Sequence, residues 1–312
     1  MQIGIDFGGT KIEAAALDFN GQVVKRIRRG NPGNYDDAVR VVRDLVLEIE
    51  RIAEQRGTVG IGTPGSVSPT TGVMRNSNSL YLNGRRFRED LGSALNREVR
   101  LANDANCFAL SEAIDGAGAG GAVVFGAILG TGCGGGLVVG GKLVAGANGI
   151  GGEWGHNPLP WPSAQESPGP QCYCGQSGCL EQWISGSGLQ RDYLAAARKP
   201  LTAEAIIAES RSGVPDGENA FDRFISRLAR ALATVCNIVD PDVIVIGGGL
   251  SNVPEIYARL PGIISAHVFS DAWSARIVPA QWGDSSGVRG AARLWTAEEA
   301  LTRKDTAFVN PK

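Results

Sequence analysis

Apolar and polar positions alternate along Gln2–Phe7, Lys11–Asp18 and Val23–Arg29, and this alternation predicts three strands. Asn20-Gly21, between the second and third, is a strong hairpin signal. From Tyr35 the period changes: Val39, Val42, Val46, Ile49 and Ala53 recur at helical spacing and predict an amphipathic helix over Tyr35–Arg56. A short strand at Thr58–Ile61 runs into Pro64-Gly65, and another at Val99–Ala102 leads into a helix from Asp104 to Gly116. At Ala122 the opening rhythm returns. AVVFGAILGTG followed by GGGLVVGGKLVAG has the pattern of Ile3–Thr10, a strand ending in a glycine–threonine turn, and predicts two similar lobes. Helices are expected at about 186–198, 202–210 and 218–238, then a buried strand at Asp242–Ile246 and a helix opened by Pro254, a position that tolerates proline. The last helix spans about Ser286–Leu301. The expected organisation is α/β throughout. Residues 1–117 form a small lobe completed by the C-terminal helix 286–301, residues 118–285 form a large lobe, and 302–312 form a flexible tail.

Composition narrows the class. The 312 residues are 43% hydrophobic and 20% charged, as in a soluble enzyme, and the net charge of -2 offers no basic surface for nucleic acid or a membrane. No apolar run is long enough to span a bilayer, and the chain enters a strand directly after Met1, so a cytoplasmic location without a signal peptide is expected. The 44 glycines are many, and they point to close backbone approaches of the kind found at phosphate loops.

Three glycine turns stand at strand ends. In Asp6-Phe7-Gly8-Gly9-Thr10-Lys11 the paired glycines let backbone N–H groups approach a polyphosphate and Thr10 adds a hydroxyl, while Asp6 can hold Mg²⁺ through water. Gly130-Thr131-Gly132 repeats this chemistry, and Gly247-Gly248-Gly249 follows a buried strand. A single Gly-Gly is more simply a hairpin turn. Three at strand ends, where α/β sheets bind ligands, favour a nucleotide, although neither a Walker loop nor a dinucleotide fingerprint is present. Asp104, after Asn103 at the start of its helix, is expected as an N-cap whose carboxylate can also take a proton from an attacking hydroxyl.

Of the six cysteines, Cys172, Cys174 and Cys179 crowd into the run Cys172-Tyr173-Cys174-Gly175-Gln176-Ser177-Gly178-Cys179, and Cys107, Cys133 and Cys236 are scattered. With His156 the crowded set makes Cys₃His, which suits a closed, structural tetrahedral Zn²⁺ and would staple the proline- and glycine-rich stretch 157–178. Glu153 and Glu181 flank this segment and are of the type that accepts hydrogen bonds from sugar hydroxyls; His156 can serve zinc with one nitrogen and a sugar hydroxyl with the other.

Together these residues resemble the ROK family of bacterial sugar kinases and related repressors: D-x-G-G-T-K at Asp6–Lys11, Pro64-Gly65, Asn103-Asp104, Gly130–Gly132, E-x-G-H at Glu153–His156, C-x-C-G-x-x-G-C-x-E at Cys172–Glu181, and Gly247–Gly249. The resemblance covers about residues 2–295. It implies an actin-like ATPase (ribonuclease H-like) fold, with two lobes, an interlobe cleft for ATP and sugar, and a zinc-stapled loop at 156–181. It implies Asp104 as general base, and sugar contacts from Gly65, Asn78, Asn103, Asp104, Glu153, His156 and Glu181. ATP contacts fall to Asp6, Gly8, Gly9, Thr10, Lys11, Thr131, Gly132 and Gly247–Gly249, and zinc to His156, Cys172, Cys174 and Cys179. Gly155–Trp161, Asn76–Asn78, Leu82–Gly84 and Gly283–Arg289 look like the fructokinase/mannokinase branch, so D-fructose is the expected substrate of a homodimeric ATP:hexose phosphotransferase. Asn103–Ala113 and Gly247–Asn252 are as much like the N-acetylglucosamine kinases, which with glucose kinases form the alternative. A sugar-sensing repressor of the same family would need a DNA-binding segment before residue 2, and an actin-like or chaperone-type ATPase would need no sugar wall.

Overall fold

The computed structural model describes residues 1–302, so the tail expected at 302–312 lies, from residue 303, outside the described residues. In chain order these form strands β1 (Gln2–Phe7), β2 (Lys11–Leu17) and β3 (Val23–Gly30), helix α1 (Tyr35–Ala53), strands β4 (Thr58–Thr63), β5 (Ser66–Val67) and β6 (Met74–Arg75), helix α2 (Phe87–Leu95), strand β7 (Val99–Asn103) and helix α3 (Asp104–Asp115). They continue with β8 (Val123–Leu129), β9 (Cys133–Val139), β10 (Lys142–Leu143), α4 (Glu181–Ile184), α5 (Gly186–Ala197), α6 (Ala203–Arg211), α7 (Pro215–Val239), β11 (Val243–Gly247), α8 (Pro254–Ser265), β12 (Arg276–Pro279), α9 (Ser286–Arg293) and α10 (Ala297–Thr302). Two compact units result. One comprises Met1–Ala119, Gly141–Gly151 and, among the described residues, 281–302; the other comprises Gly120–Gly140 and Gly152–Ala280.

The first unit is built on a sheet ordered β3-β2-β1-β4-β7. β1 and β2 are antiparallel, with Asp6 opposite Glu13, whereas β1, β4 and β7 run parallel. β3 is an edge strand carrying Lys25, Arg26, Arg28 and Arg29, and such charges discourage pairing with a foreign strand. Helix α1 begins where Asn34 accepts the N–H of Asp37 at 3.1 Å and ends at Ala53, because Glu54 turns left-handed (φ 49°). It buries Val42, Leu45, Val46 and Ile49 in the core that holds Ile3, Ile5, Phe7, Val59 and Ile61.

The other side of this sheet carries α9 at backbone contact. A Cβ on Gly60 would stand 1.9 Å from the carbonyl oxygen of Ala291, and one on Gly290 would stand 1.7 Å from that of Cys107 on α3. Only glycine permits both approaches. The single helix expected over Ser286–Leu301 is two helices. Trp295 is buried and donates its indole N–H to the carbonyl of Val59 at 2.8 Å, which turns the chain inward. Thr296 and Glu299 then cap the next helix reciprocally, Glu299 N–H to Thr296 Oγ1 at 3.1 Å and Thr296 N–H to Glu299 Oε2 at 2.8 Å.

Within the second unit β9, β8, β11 and β12 lie side by side, the first pair antiparallel and the rest parallel. β2-β1-β4-β7 follow the same succession, so the recurring glycine–threonine turn marks a recurring topology. The long helix α7 starts at Pro215, earlier than the apolar period indicates, because proline is well placed in a first turn. It buries Phe221, Phe224, Ile225, Leu228 and Leu232 in the core of this unit.

The stretch 157–178 has no strand or α-helix, as its composition implies. Part of its order comes from an ion cluster that sequence reading did not anticipate. Glu166 accepts from Arg227 Nε at 2.8 Å and Arg230 Nη2 at 2.9 Å, and Arg230 Nη1 also donates to the carbonyls of Pro160 and Trp161. Among the described residues no helix is long and apolar enough to cross a membrane.

Candidate active site

In the first unit the predicted residues gather at the carboxyl ends of the parallel strands, where α/β sheets present ligand sites. Asp6 closes β1, Pro64-Gly65 follows β4, and Asn103-Asp104 joins β7 to α3. The Gly8–Lys11 turn is open: Gly9, Thr10 and Lys11 are exposed, and a Cβ on Gly9 would meet nothing within 4 Å. Its shape is fixed from behind by Gly8 N–H donating to Lys11 O at 3.0 Å and by Asn31, whose side chain donates to Gly8 O at 2.7 Å while its backbone N–H donates to Thr10 O at 3.0 Å. Asn31 carries no motif of its own and was not visible as a site residue.

Asp104 is not the N-cap. The cap position falls to Asn103, whose backbone is extended (φ -62°, ψ 150°) and whose Oδ1 accepts Ala105 N–H at 2.8 Å; Asp104 Oδ1 accepts the same N–H, also at 2.8 Å. Asp104 is the first helical residue and is exposed. The reason is that β7 runs one residue further than its apolar pattern suggests. Asn103 also reaches back with Nδ2 to the carbonyl of Gly65 at 3.4 Å, tying the Pro64-Gly65 turn to the head of α3. Gly65 needs its positive φ of 78°, and a Cβ there would lie 2.4 Å from Arg75 O. Asn78 is exposed on a loop that Asn83 clamps, accepting from Ser77 N–H and donating to Ser77 O, each at 2.9 Å. A cavity of about 600 Å³ opens beside Asn103, lined among others by Ser66, Val67, Asn106 and Ala145.

Asp6 is half-buried with its carboxyl against α9, 3.3 Å from where a Cβ on Gly287 would be. Burial first, then the charges of Asp104 and Glu13, push it up to about 6. Two carboxylates acting on each other at a glycine turn make a donor set for a hard, oxygen-preferring cation, which fits Mg²⁺. Behind them, fully buried Glu112 of α3 accepts from the N–H groups of Gln281 (3.0 Å) and Trp282 (3.1 Å) and from Ser286 Oγ (2.7 Å), which fixes the N-terminus of α9 over Asp6. Nothing in the pattern around Glu112 announced this role, since a glutamate in a helix is ordinarily a surface residue.

The second unit holds the remaining predicted residues. Gly130-Thr131-Gly132 turns between β8 and β9, closed by Gly130 N–H to Gly132 O at 3.0 Å and by Gly186 N–H to Gly130 O at 2.7 Å. Glu181 belongs to this turn as well as to the cysteine segment: its Oε2 accepts Cys133 N–H at 3.0 Å and lies 2.7 Å from the place of a Cβ on Gly132. Gly247 ends β11, and Gly248 (φ 81°) passes so near β8 that a Cβ would stand 2.5 Å from Leu129 O. Gly130, Thr131 and Gly249 border a cavity of about 630 Å³ whose other walls include Ser187, Gln190, Glu204 and Asn252. This cavity has the size of a nucleoside site. Its helix-borne walls carry no motif and were not foreseen.

His156, Cys172, Cys174 and Cys179 are brought together, their ligand atoms all within 4.8 Å of one another. Cys174 Sγ lies 3.6 Å from Cys179 Sγ, and His156 Nδ1 lies 3.7 Å from Cys172 Sγ. Zn–S and Zn–N bonds of about 2.3 and 2.0–2.1 Å at tetrahedral angles require edges of this length, so the set fits zinc. His156 is placed by Trp154, whose indole N–H donates to Gly134 O at 2.8 Å, and by Gly155, which packs on Cys133 O. Its Nε2 meets Tyr173 Oη at 3.0 Å. Glu153 is exposed, and it and Glu181 both lie within electrostatic reach of that phenol.

Residues 2–298 match the ROK family. An N-acetyl-D-glucosamine kinase of Yersinia pseudotuberculosis is 41% identical over 304 residues, spanning 96% of this chain and 100% of that protein. The ROK hexokinase of Thermus thermophilus superposes with a TM-score of 0.83 at 31% identity, over 93% of this chain and 96% of that one. A ROK family glucokinase from Streptomyces griseus, in complex with glucose and AMPPNP, does so with a TM-score of 0.73 at 26% identity, over 94% and 98%. The expected fructokinase/mannokinase branch finds no support in these relatives, and the first of them bears the name of the alternative. The segments that suggested fructose are short, whereas the match to the N-acetyl-D-glucosamine kinase runs over the whole fold. With its motifs at the strand ends and its cysteine–histidine cluster assembled, the chain belongs to the ROK family, among its sugar kinases.

Proposed function

We propose that the chain is an ATP-dependent N-acetyl-D-glucosamine kinase in which Asp104 is the general base. The observation that carries the mechanism is the position of Asp104: exposed at the head of α3, with the capping duty taken by Asn103. The choice of sugar is supported by the 41% identity to the Yersinia enzyme. A sugar hydroxyl oxygen forms the new bond to the γ-phosphorus of ATP, the bond from that phosphorus to the bridging oxygen of ADP breaks, and the hydroxyl proton passes to the Asp104 carboxylate. Asn103, Gly65, Asn78, Glu153, His156 and Glu181 are assigned to the sugar. The Gly8–Lys11 turn, Thr131, Gly132 and Gly247–Gly249 are assigned to the phosphates, with the nucleoside in the cavity beside Thr131 and Gly249. Mg²⁺, held near Asp6 through water, would neutralise charge on the transferred phosphoryl group. Zinc on His156, Cys172, Cys174 and Cys179 would supply order to the loop and no chemistry to the reaction.

Coupled measurement of ADP release with N-acetyl-D-glucosamine, glucose, mannose and fructose tests this reading. The highest kcat/KM is expected on N-acetyl-D-glucosamine. A higher value on fructose overturns the sugar and leaves the kinase standing; ADP release independent of every sugar overturns both. A cytoplasmic homodimer belongs to the same reading, resting on the resemblance and on the prevalence of two-fold assemblies. A monomer mass in light scattering at micromolar concentration counts against the dimer.

A further inference from the structure

Tyr173 is 80% exposed, in the middle of the cysteine run, between two of the sulfur ligands. A tyrosine this exposed gains little from burial, so its placement calls for another reason. Its hydroxyl is nevertheless committed. Oη lies 3.0 Å from His156 Nε2, and the two rings meet edge to face at 5.2 Å with an interplanar angle of 88°. The sequence had left that nitrogen for a sugar hydroxyl.

The histidine's two nitrogens are thereby divided. Nδ1 faces Cys172 Sγ at 3.7 Å, on the side of the four-ligand cluster, and must keep its lone pair there to serve as a ligand. With a metal on Nδ1, Nε2 would carry the ring proton and donate it to Tyr173 Oη. A phenol that accepts one hydrogen bond still has its own O–H to give, and it gives it more readily for being polarised. Because Tyr173 is exposed, that hydroxyl is open to a ligand, 3.0 Å from the histidine assigned to the sugar.

We infer that Tyr173 is a sugar-contacting residue that determines affinity, extending the reach of His156 by donating its O–H to an oxygen of the bound sugar. The inference rests on the sugar-kinase reading but not on which sugar is used. Tyr173→Phe removes the hydroxyl alone and keeps the ring on His156. Wild type and variant are compared on whichever hexose of the panel the wild type phosphorylates best. Failure of the functional reading therefore shows in the wild type, and failure of this inference shows only in the ratio. The expected result is a KM for the sugar raised roughly two- to twelvefold, the worth of one neutral hydrogen bond. A smaller change is expected in kcat, with none in the KM for ATP, in zinc per chain or in the melting temperature. An unchanged sugar KM would make Tyr173 a bystander. A lowered one would mean that its hydroxyl competes with the sugar for His156. Loss of zinc from the variant would make it a support of the metal loop. Each of these three results overturns the inference.

Discussion

Asn103 caps the helix that Asp104 begins: Asn103 Oδ1 accepts the backbone N–H of Ala105 at 2.8 Å, and Asp104 stands one residue further on, exposed. Asp104 Oδ1 lies at the same 2.8 Å from that N–H, so Asn103 can keep the cap when the Asp104 carboxylate is engaged elsewhere.

Exchanging Asp104 for Asn should therefore leave folding intact, since the cap is elsewhere. Loss of the base should lower kcat by about 10²–10⁴-fold, with a much smaller change in the KM for ATP. Asn103→Ala should lower stability by roughly 1 kcal/mol. Steady-state kinetics beside thermal melts separate the two; an Asp104→Asn enzyme with more than about a tenth of wild-type kcat would sink the assignment of the base.

Asp6 gives a pH dependence with a definite sign. Its carboxyl is raised from the ordinary 3.8 to about 6, by burial first and then by Asp104 and Glu13. Between these values the folded chain holds a proton that the unfolded chain has released, so the stabilising contribution is complete below pH 4 and is lost as pH rises through 6. In metal-free protein the stability of wild type relative to Asp6→Asn should fall across that window, and Mg²⁺ should bind more weakly below pH 6. A difference that stays flat from pH 4 to 6.5 would contradict it.

The cysteine–histidine cluster predicts one zinc per chain. Cys174→Ala or Cys179→Ala should lose the metal and lower the melting temperature, because 157–178 has no helix or strand to hold it. Elemental analysis of protein purified without chelators checks this directly, and an absence of zinc there rejects the site.

Gly290→Ala should be severely destabilising, with ΔΔG above about 4 kcal/mol or no folded protein at all, since its methyl would stand 1.7 Å from Cys107 O and 2.4 Å from Cys107 C, backbone that no side-chain rotation can move aside. Gly287→Ala, whose methyl would approach Asp6 at 3.3 Å, should fold but raise the Mg²⁺ requirement. Chemical denaturation and Mg²⁺ titrations of the two variants distinguish these effects.

The strands, the turns and the cluster of cysteines with His156 were legible because each is a local pattern: a period, a glycine pair, a spacing. What the sequence hid depends on residues far apart along the chain. Glu112 is buried only because Gln281, Trp282 and Ser286 come to it from some 170 positions away. The break between α9 and α10 was legible in principle, as Thr296-Ala297-Glu298-Glu299 is a capping box, but the apolar period ran through it. The fructokinase-like segments found no support in the relatives, and the reason is physical. Hexoses share most of their hydroxyls, so the loops that hold them share residues, and a short segment cannot say which sugar the whole site was shaped around.

The first unit is assembled from both ends of the polypeptide, and α9, near its end, covers β1 and β4 at backbone distance. During synthesis the opening strands leave the ribosome with that face bare and must wait for the 222 residues between Thr63 and Ser286 before the cover arrives. The second unit has its own core and can close in the meantime. A released chain truncated just before Gln281 should thus contain a protease-resistant C-terminal half and a labile N-terminal one, an inversion of the usual order in which the first-made part is the first to be finished.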